Sequence, residues 1–174
     1  MNELIVLACL LRAPAYGYAL TKTAGLIFGN REMHPNIVYP SLKKFVQERW
    51  GERRSKPGER GQTRKQYRIT SNGRKYILER LSTFSERDAS DDGVFLFRVA
   101  FFDLLPKPTC CQILEARKLF LNSRAHELAK LSGQPQAQAF GAVALDHGRA
   151  QVEAELDGFA SLRVRLKLPR KHAT

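Results

Sequence analysis

The chain has 174 residues, a length that predicts one or two domains with a hydrophobic core. Its formal net charge of +12 and pI of about 10.0 predict an acidic polymer or surface as partner. Its three cysteines, two of them adjacent, are typical of reduced thiols in an intracellular protein. The apolar run at the start reaches Arg12 without a preceding basic region, and no run approaches the ~20 apolar residues of a membrane span, so we expect a cytoplasmic protein without a membrane partner.

The positive charge is concentrated in one segment. Residues 43–75 contain 12 Lys and Arg residues but only 3 Asp and Glu residues. A solvated basic face is one explanation. Because the same segment contains several Pro and Gly residues that separate structural elements, a surface for nucleic acid is the preferred interpretation.

Hydrophobic spacing predicts three helices in the first 48 residues. The first covers about 2–11, the second about 15–28 with Gly29 and Asn30 as its end, and the third about 35–48. Pro35 suits the first turn of the third helix, whereas Pro40 should bend or loosen the start of that helix, since it removes a hydrogen bond to Asn36.

After Trp50 the hydrophobic period changes. Residues 50–54 and the alternating segment TRKQYRIT at 63–70 predict a β-hairpin whose long tip is SKPGERGQ, and Thr70 to Asn72 can cap a fourth helix over about 71–84. Three helices, a hairpin and a helix in this order are typical of a winged helix-turn-helix. Another small α+β domain is the alternative.

The second half of the sequence is predicted to be helical. A polar boundary at 84–93 precedes an apolar helix over about 94–105, a long helix over about 109–131, a turn at SGQP and a last helix over about 135–168. The predicted fold class is therefore α+β, mostly α. A winged helix-turn-helix DNA-binding domain at 1–86 is followed by an antiparallel helical dimerisation domain at 92–174.

The long helices carry leucine stripes that we expect to pair with a second copy of the chain. A self-contained helical hairpin is the alternative. The candidate dimer-interface residues are Phe95, Phe101, Leu114, Leu121, Leu145, Val152, Leu156 and Phe159.

Residues 4–80 resemble the winged-helix domain of the PadR family of bacterial transcriptional regulators. The resemblance rests on LIVLACLLRAPAYGYAL at 4–20, on VYPSLKKF at 38–45 and on TRKQYRITSNG at 63–73. The second half is similar in length and helical content to the dimerisation region of the longer, virulence-activator type. Two positions depart from the family pattern: Arg49 stands where Gly is frequent, and Ile37 stands where Ser or Thr is frequent, which makes Ile37 a candidate for altered operator preference.

Lys and Arg that neutralise phosphates gain affinity through counterion release, and a recognition helix reads base edges in the major groove. The hydroxyls and ammonium groups of the third helix and the cations of the hairpin suit these roles, and the resemblance implies that Tyr16 and Tyr39 contact DNA. A core position is the alternative for both tyrosines. The predicted DNA-binding residues are Tyr16, Tyr39, Ser41, Lys43, Lys44, Arg53, Arg54, Lys56, Arg60, Arg64 and Lys65.

The function hypothesis is a homodimeric regulator, acting as a repressor, that binds double-stranded DNA at a pseudo-palindromic operator. The alternative is a non-sequence-specific nucleic-acid-binding or scaffold protein. No catalytic motif, cofactor or metal site is predicted, since the sequence has no nucleophile elbow and no phosphate-cradling Gly loop. A small-molecule effector and a sensing role for Cys110 and Cys111 remain open hypotheses.

Overall fold

The computed structural model describes residues 1–26, 33–57, 63–132 and 139–167. The described elements are, in chain order, α1 (Asn2–Arg12), β1 (Ala15–Tyr16), α2 (Gly17–Leu26), α3 (Pro35–Gln47), β2 (Gly51–Pro57), β3 (Thr63–Ile69), α4 (Ser71–Ser82), α5 (Glu86–Ala89), α6 (Asp92–Val99), a 3-10 turn (Phe102–Leu104), α7 (Lys107–Ser132) and α8 (Ala139–Arg165). The fold is therefore α+β and mostly helical, which confirms the predicted fold class. The predicted end of the second helix at Gly29 and Asn30 and the predicted SGQP turn beyond Ser132 lie outside the described residues.

Helix α1 is the centre of the first part of the chain. Six consecutive residues, Ile5 to Leu10, are buried, and α1 packs against α2, α3, α4 and β3. A helix that is apolar on most sides needs partners all round it. The three helices and the hairpin are thus arranged about α1.

The sheet contains one strand more than the predicted hairpin. β2 and β3 pair antiparallel from Gly51↔Ile69 to Pro57↔Thr63, as predicted from the alternation. The additional strand β1 pairs antiparallel with β3, so that the strand order is β1-β3-β2. This short strand ties the start of α2 to the hairpin.

The turn after α3 is made by a residue in the left-handed region. Arg49 has a φ of 59°, and the amide of the next residue, Trp50, donates to the carbonyl of Phe45 over 2.8 Å. Glycine is favoured at such a helix end because it has no Cβ to strain. The Arg that replaces the family's frequent Gly therefore keeps the glycine conformation of the turn.

The described chain divides into two compact units. The first contains residues 1–84 and 92–105, and the second contains residues 85–91 and 106 onward. The expected boundary, with 92–174 as one domain, differs from this division. The reason is that α6 and the turn after it are held by the first unit: Arg12 Nη2 donates to the carbonyl of Ala100 over 2.8 Å, and Arg98 Nη2 donates to the carbonyl of Thr83 over 3.2 Å.

Burial corrects part of the predicted dimer interface. Phe95 and Phe101 are buried in the single chain, and the ring of Phe101 lies at 5.5 Å from that of Phe97 in a T-shaped pair. On α7 and α8, which pack against each other, most of the predicted stripe is also buried. Leu114, Leu121, Val152 and Phe159 are at most 7% exposed, while Leu145 and Leu156 are half-buried. The four buried side chains of α7 and α8 thus belong to the core of a helical hairpin, while an interface role for the half-buried Leu145 and Leu156 stays a prediction.

An ion pair within the second unit joins α7 to α8. Arg117, which is 1% exposed, donates from Nε and Nη2 to the two carboxylate oxygens of Glu155, both over 2.8 Å. Its Nη1 donates to the carbonyl of Ala89 on α5 over 2.6 Å. A buried guanidinium needs such a set of acceptors, since desolvation of an unpaired charge is costly. The arrangement fixes α5, α7 and α8 to one another.

Replacing Arg49 by Gly should stabilise the protein. Gly relieves the left-handed strain of about 1–2 kcal/mol but increases the entropy of the unfolded chain, so we expect a gain of up to about 1 kcal/mol in the free energy of unfolding. Urea unfolding followed by circular dichroism measures it. Glu48→Gly is the matched control, because Glu48 has a φ of −77° and should lose roughly 0.5–1 kcal/mol there. Equal effects of the two variants would contradict the expectation.

Removing the carboxylate of Glu155 should destabilise the second unit strongly. Glu155→Ala leaves Arg117 buried without its ion-pair partner, and we expect a loss of about 3 kcal/mol or more in the same unfolding measurement. Glu115→Ala breaks the longer, more exposed pair to Arg163, at 3.4 Å, and should cost less than about 1 kcal/mol. A loss of similar size in both variants would show that the buried ion pair contributes no more to the free energy of unfolding than the exposed one.

Candidate nucleic-acid interface

Helix α3 has one buried face and one exposed face. Val38, Ser41, Leu42 and Phe45 are buried, and they lie at the helical spacing of three and four residues. The opposite, exposed face carries Asn36, Pro40, Lys43 and Gln47 along its middle. Asn36 and Gln47 are not among the residues predicted from the sequence, although counting in threes and fours from the buried residues places both on the exposed face.

Ser41 is not available as a surface contact. Ser41 is 3% exposed, and its hydroxyl donates to the carbonyl of Ile37 over 2.7 Å. Bonding of a Ser hydroxyl to the carbonyl four residues earlier is a common way to satisfy it inside a helix. The prediction that Ser41 contacts DNA is therefore corrected.

The two lysines of α3 differ in their surroundings. Lys44 Nζ donates to the Glu3 carboxylate on α1 over 2.8 Å, and this hydrogen bond raises the pKa of Lys44. Lys43 is exposed and forms no ion pair within the described part of the chain. Lys43 is thus the lysine of α3 whose charge is not already neutralised at short range.

Tyr39 lies against the start of α2. A Cβ added to Gly17 would come within 2.7 Å of Cε1 of the Tyr39 ring, so the absence of a side chain at Gly17 is what lets the ring approach. Tyr39 remains 49% exposed. Tyr16, in β1 just before Gly17, is half-buried. Neither tyrosine is a fully buried core residue.

The hairpin presents its cations mainly on one face. Directly paired residues of antiparallel strands lie on the same side of a sheet, so the pairs Glu52↔Arg68, Arg54↔Gln66 and Lys56↔Arg64 share the face opposite to the buried Tyr67. Arg53 and Lys65 lie on the Tyr67 side. We call the first set, Arg54, Lys56, Arg64 and Arg68, the outer wing cations.

Of the four outer wing cations, Arg54 is the one with an ion pair to a carboxylate among the described residues. Glu52 forms an ion pair with Arg54 over 3.0 Å, and all four cations are exposed. Arg68 is not among the predicted contacts, although the alternation of β3 places it on the same face as Arg64. Arg60, another predicted contact, lies outside the described residues.

A hollow lies between four elements of the first unit. It has a volume of about 600 Å³ and is lined by residues of β1, α2, α3 and β3: Tyr16, Gly17, Tyr18, Ala19, Tyr39, Thr63, Arg64, Lys65 and Tyr67. Four of the predicted contact residues, Tyr16, Tyr39, Arg64 and Lys65, therefore line one concave surface. Phenolic hydroxyls and cations around a hollow suit a negatively charged oxygen-rich group.

The described residues give little support for a metal site, a reactive thiol or a membrane span. They contain no group of three or more His, Cys, Asp or Glu side chains placed to hold a metal ion. Burial raises the pKa of the Cys9 thiol to about 11, against a smaller opposite effect of Arg12, and burial also raises the pKa of Cys110. Both thiols stay protonated near neutral pH, which makes them poor nucleophiles. Among the described helices, none has the length and apolar character required to cross a bilayer.

Residues 6–79 match the model of the transcriptional regulator PadR-like family. The match covers the segment in which the resemblance was identified and confirms it there. No curated protein matches the chain.

Solved structures of transcriptional regulators are also similar. One from Thermoplasma acidophilum is 28% identical over 45% of this chain and 74% of its own, with a TM-score of 0.41. PadR of Bacillus subtilis, solved in complex with operator DNA, is 14% identical over 94% of this chain and 96% of its own, with a TM-score of 0.47. A PadR-like regulator of Bacillus cereus is 17% identical over 95% and 93%, with a TM-score of 0.41.

Proposed function

We propose that this chain, whose residues 6–79 match the model of the transcriptional regulator PadR-like family, is a sequence-specific regulator of transcription in the cytoplasm. It binds double-stranded DNA as a homodimer at a pseudo-palindromic operator and represses by occluding a promoter. The observation that carries the proposal is the hollow that brings Tyr16, Tyr39, Arg64 and Lys65 together beside the exposed face of α3.

Helix α3 is the element that would enter the major groove. Its exposed face carries Lys43, whose charge is available for a phosphate or for a guanine edge. The neighbouring hollow would receive the sugar-phosphate backbone that borders the groove, since its tyrosine hydroxyls and cations can donate to phosphate oxygens. The tyrosines would position the domain without reading sequence.

The wing would add affinity. The outer wing cations project from a hairpin beside α3, where they can neutralise phosphates or enter a narrow minor groove. Each phosphate that is neutralised releases counterions, so the binding constant should fall steeply with salt concentration. Arg53 and Lys65, on the other face of the hairpin, are also exposed and can contact further phosphates.

Dimerisation would use the outer surface of α8 rather than the predicted leucine stripe. Opposite to its buried side, α8 carries a strip of small or apolar exposed residues: Val143, Ala150, Ala154, Gly158 and Ser161. The small side chains of this strip would allow a second helix to approach closely, with the exposed His147 and Asp157 beside them. Binding to a pseudo-palindromic operator requires two α3 helices about one DNA turn, roughly 34 Å, apart, and a dimer supplies two such helices.

Competition by unrelated DNA tests the proposal. The full chain is mixed at physiological salt with the DNA upstream of its own gene, and excess non-specific competitor is added before gel electrophoresis. We expect the complex to survive, because specific sites bind about 10³-fold or more tighter than random DNA. Loss of the complex would favour the non-specific nucleic-acid-binding or scaffold alternative.

In the same experiment Lys43→Ala should weaken binding about 5-fold or more, because a lost base contact costs about 1–3 kcal/mol. Lys44→Ala is the matched control on the adjacent position. Since Glu3 already neutralises Lys44 at short range, its replacement should have a clearly smaller effect. A larger loss for Lys44→Ala than for Lys43→Ala would contradict the proposed orientation of α3.

Introducing a charge into the strip should break the dimer. Ala154→Arg places a guanidinium where two α8 helices would meet, and we expect light scattering at micromolar concentration to report a monomer where the unmodified chain is a dimer. Glu153→Arg, at the adjacent exposed and already charged position of α8, is the control and should remain dimeric. A dimer that persists in Ala154→Arg would exclude this strip as the interface.

A further inference from the structure

The first half of the exposed face of α3 presents three different chemical groups close together. Asn36, Pro40 and Lys43 are all exposed, and their separations of four and three residues place them side by side within two turns. They offer an amide, an apolar ring and an ammonium group. In a helix-turn-helix the N-terminal part of the recognition helix is the part that reaches base edges.

The start of α3 is held in a defined conformation, so Asn36 is presented from a fixed backbone. Its main-chain N–H donates to Nδ1 of His34, the N-cap residue, over 3.2 Å. Pro35 occupies the first helical position, where its restricted φ already suits a helix. The cap and the proline together limit the fraying that the end of a helix would otherwise show.

The amide group of Asn36 is available to a ligand. It makes no side-chain hydrogen bond with any residue that the structure describes, whereas two other polar groups of α3 are engaged. Lys44 is bonded to Glu3, and the hydroxyl of Ser41 is bonded to Ile37. Ile37 itself is half-buried on the flank of the helix, so it is a weaker candidate for operator preference than its position beside the family motif indicated.

We propose that Asn36 is a specificity-determining residue that reads an adenine in the major groove. An Asn amide donates to N7 and accepts from N6 of adenine at the same time, a pairing that the other bases cannot reproduce. Pro40 would contact the methyl group of a neighbouring thymine, and Lys43 would bind a guanine or a phosphate beside it. This inference rests on the proposed function, since it assigns the base that the proposed DNA-binding surface recognises.

Gln47 provides a matched control on the same exposed face. It carries the same amide group, but it lies eleven residues after Asn36, which is about 16 Å along the helix. That distance places Gln47 at the C-terminal end of α3, away from the end that enters the groove. Its replacement should therefore leave base preference unchanged.

Selection from a random double-stranded DNA library, followed by sequencing, tests the proposal. The full-length chain, Asn36→Ala, Asn36→Gln and Gln47→Ala are compared. We expect the unmodified chain and Gln47→Ala to enrich the same motif with an adenine in each half-site. Asn36→Ala should accept all four bases at that position and bind the selected site about 10-fold or more weakly, with unchanged affinity for random DNA. Asn36→Gln, one methylene longer, should also lose the adenine preference.

The outcomes separate this proposal from the one on which it rests. If the unmodified chain enriches no motif, the proposed sequence-specific function fails, and the assignment of Asn36 fails with it. If a motif is enriched and Asn36→Ala enriches it equally, the proposed function holds and the assignment of Asn36 is overturned. A loss of preference in Gln47→Ala alone would also overturn it. Circular dichroism melting of each variant confirms that it is folded before the comparison.

Discussion

The contact between Trp50 and the start of α4 is the constraint on which the geometry of the first unit depends. A Cβ on Gly73 would lie at 2.0 Å from the carbonyl oxygen of Trp50, so only glycine permits this approach. The same carbonyl accepts from the amide of Thr70, whose hydroxyl donates to the carbonyl of Arg49 over 2.6 Å. The indole of Trp50 is stacked on Tyr76 at 3.8 Å. The end of α3, both strands and the start of α4 are thereby fixed at one point.

This point relates the proposed recognition helix to the wing. β2 begins directly after Trp50, and β3 ends directly before Thr70, so the hairpin leaves the body of the domain where α3 ends. The left-handed conformation of Arg49 makes the reversal in a single residue. Because a Cβ on Gly73 would collide with the carbonyl of Trp50, a larger residue at Gly73 would alter the angle at which the outer wing cations stand beside α3.

Much of this arrangement could be predicted from the sequence, because it depends on local patterns. Helical spacing, the alternation of β3 and the Thr70 cap, whose hydroxyl accepts from the amide of Gly73, are encoded within a few residues. Strand β1 has only two residues and no pattern of its own, so it follows from tertiary pairing alone. The apolar character of 94–105 predicts burial but cannot identify the partner, which is Arg12 and its neighbours in the first unit. Ser41 shows the opposite case: its hydroxyl suggests a surface position, whereas its spacing from Val38 and Phe45 already places it inward.

The two ends of α3 are held by different means, and this difference bears on where DNA sequence would be read. At the C-terminal end, Phe45 is buried and Trp50 is stacked, so that end is part of the core. At the N-terminal end the helix is held by its own cap, His34, and by Pro35, both of which are exposed. A helix end that is fixed without being covered can bring its side chains to a groove with little loss of conformational entropy on binding. The proline at position 40 fits this division, because its missing N–H affects only the first turns and its exposed ring offers an apolar surface between Asn36 and Lys43.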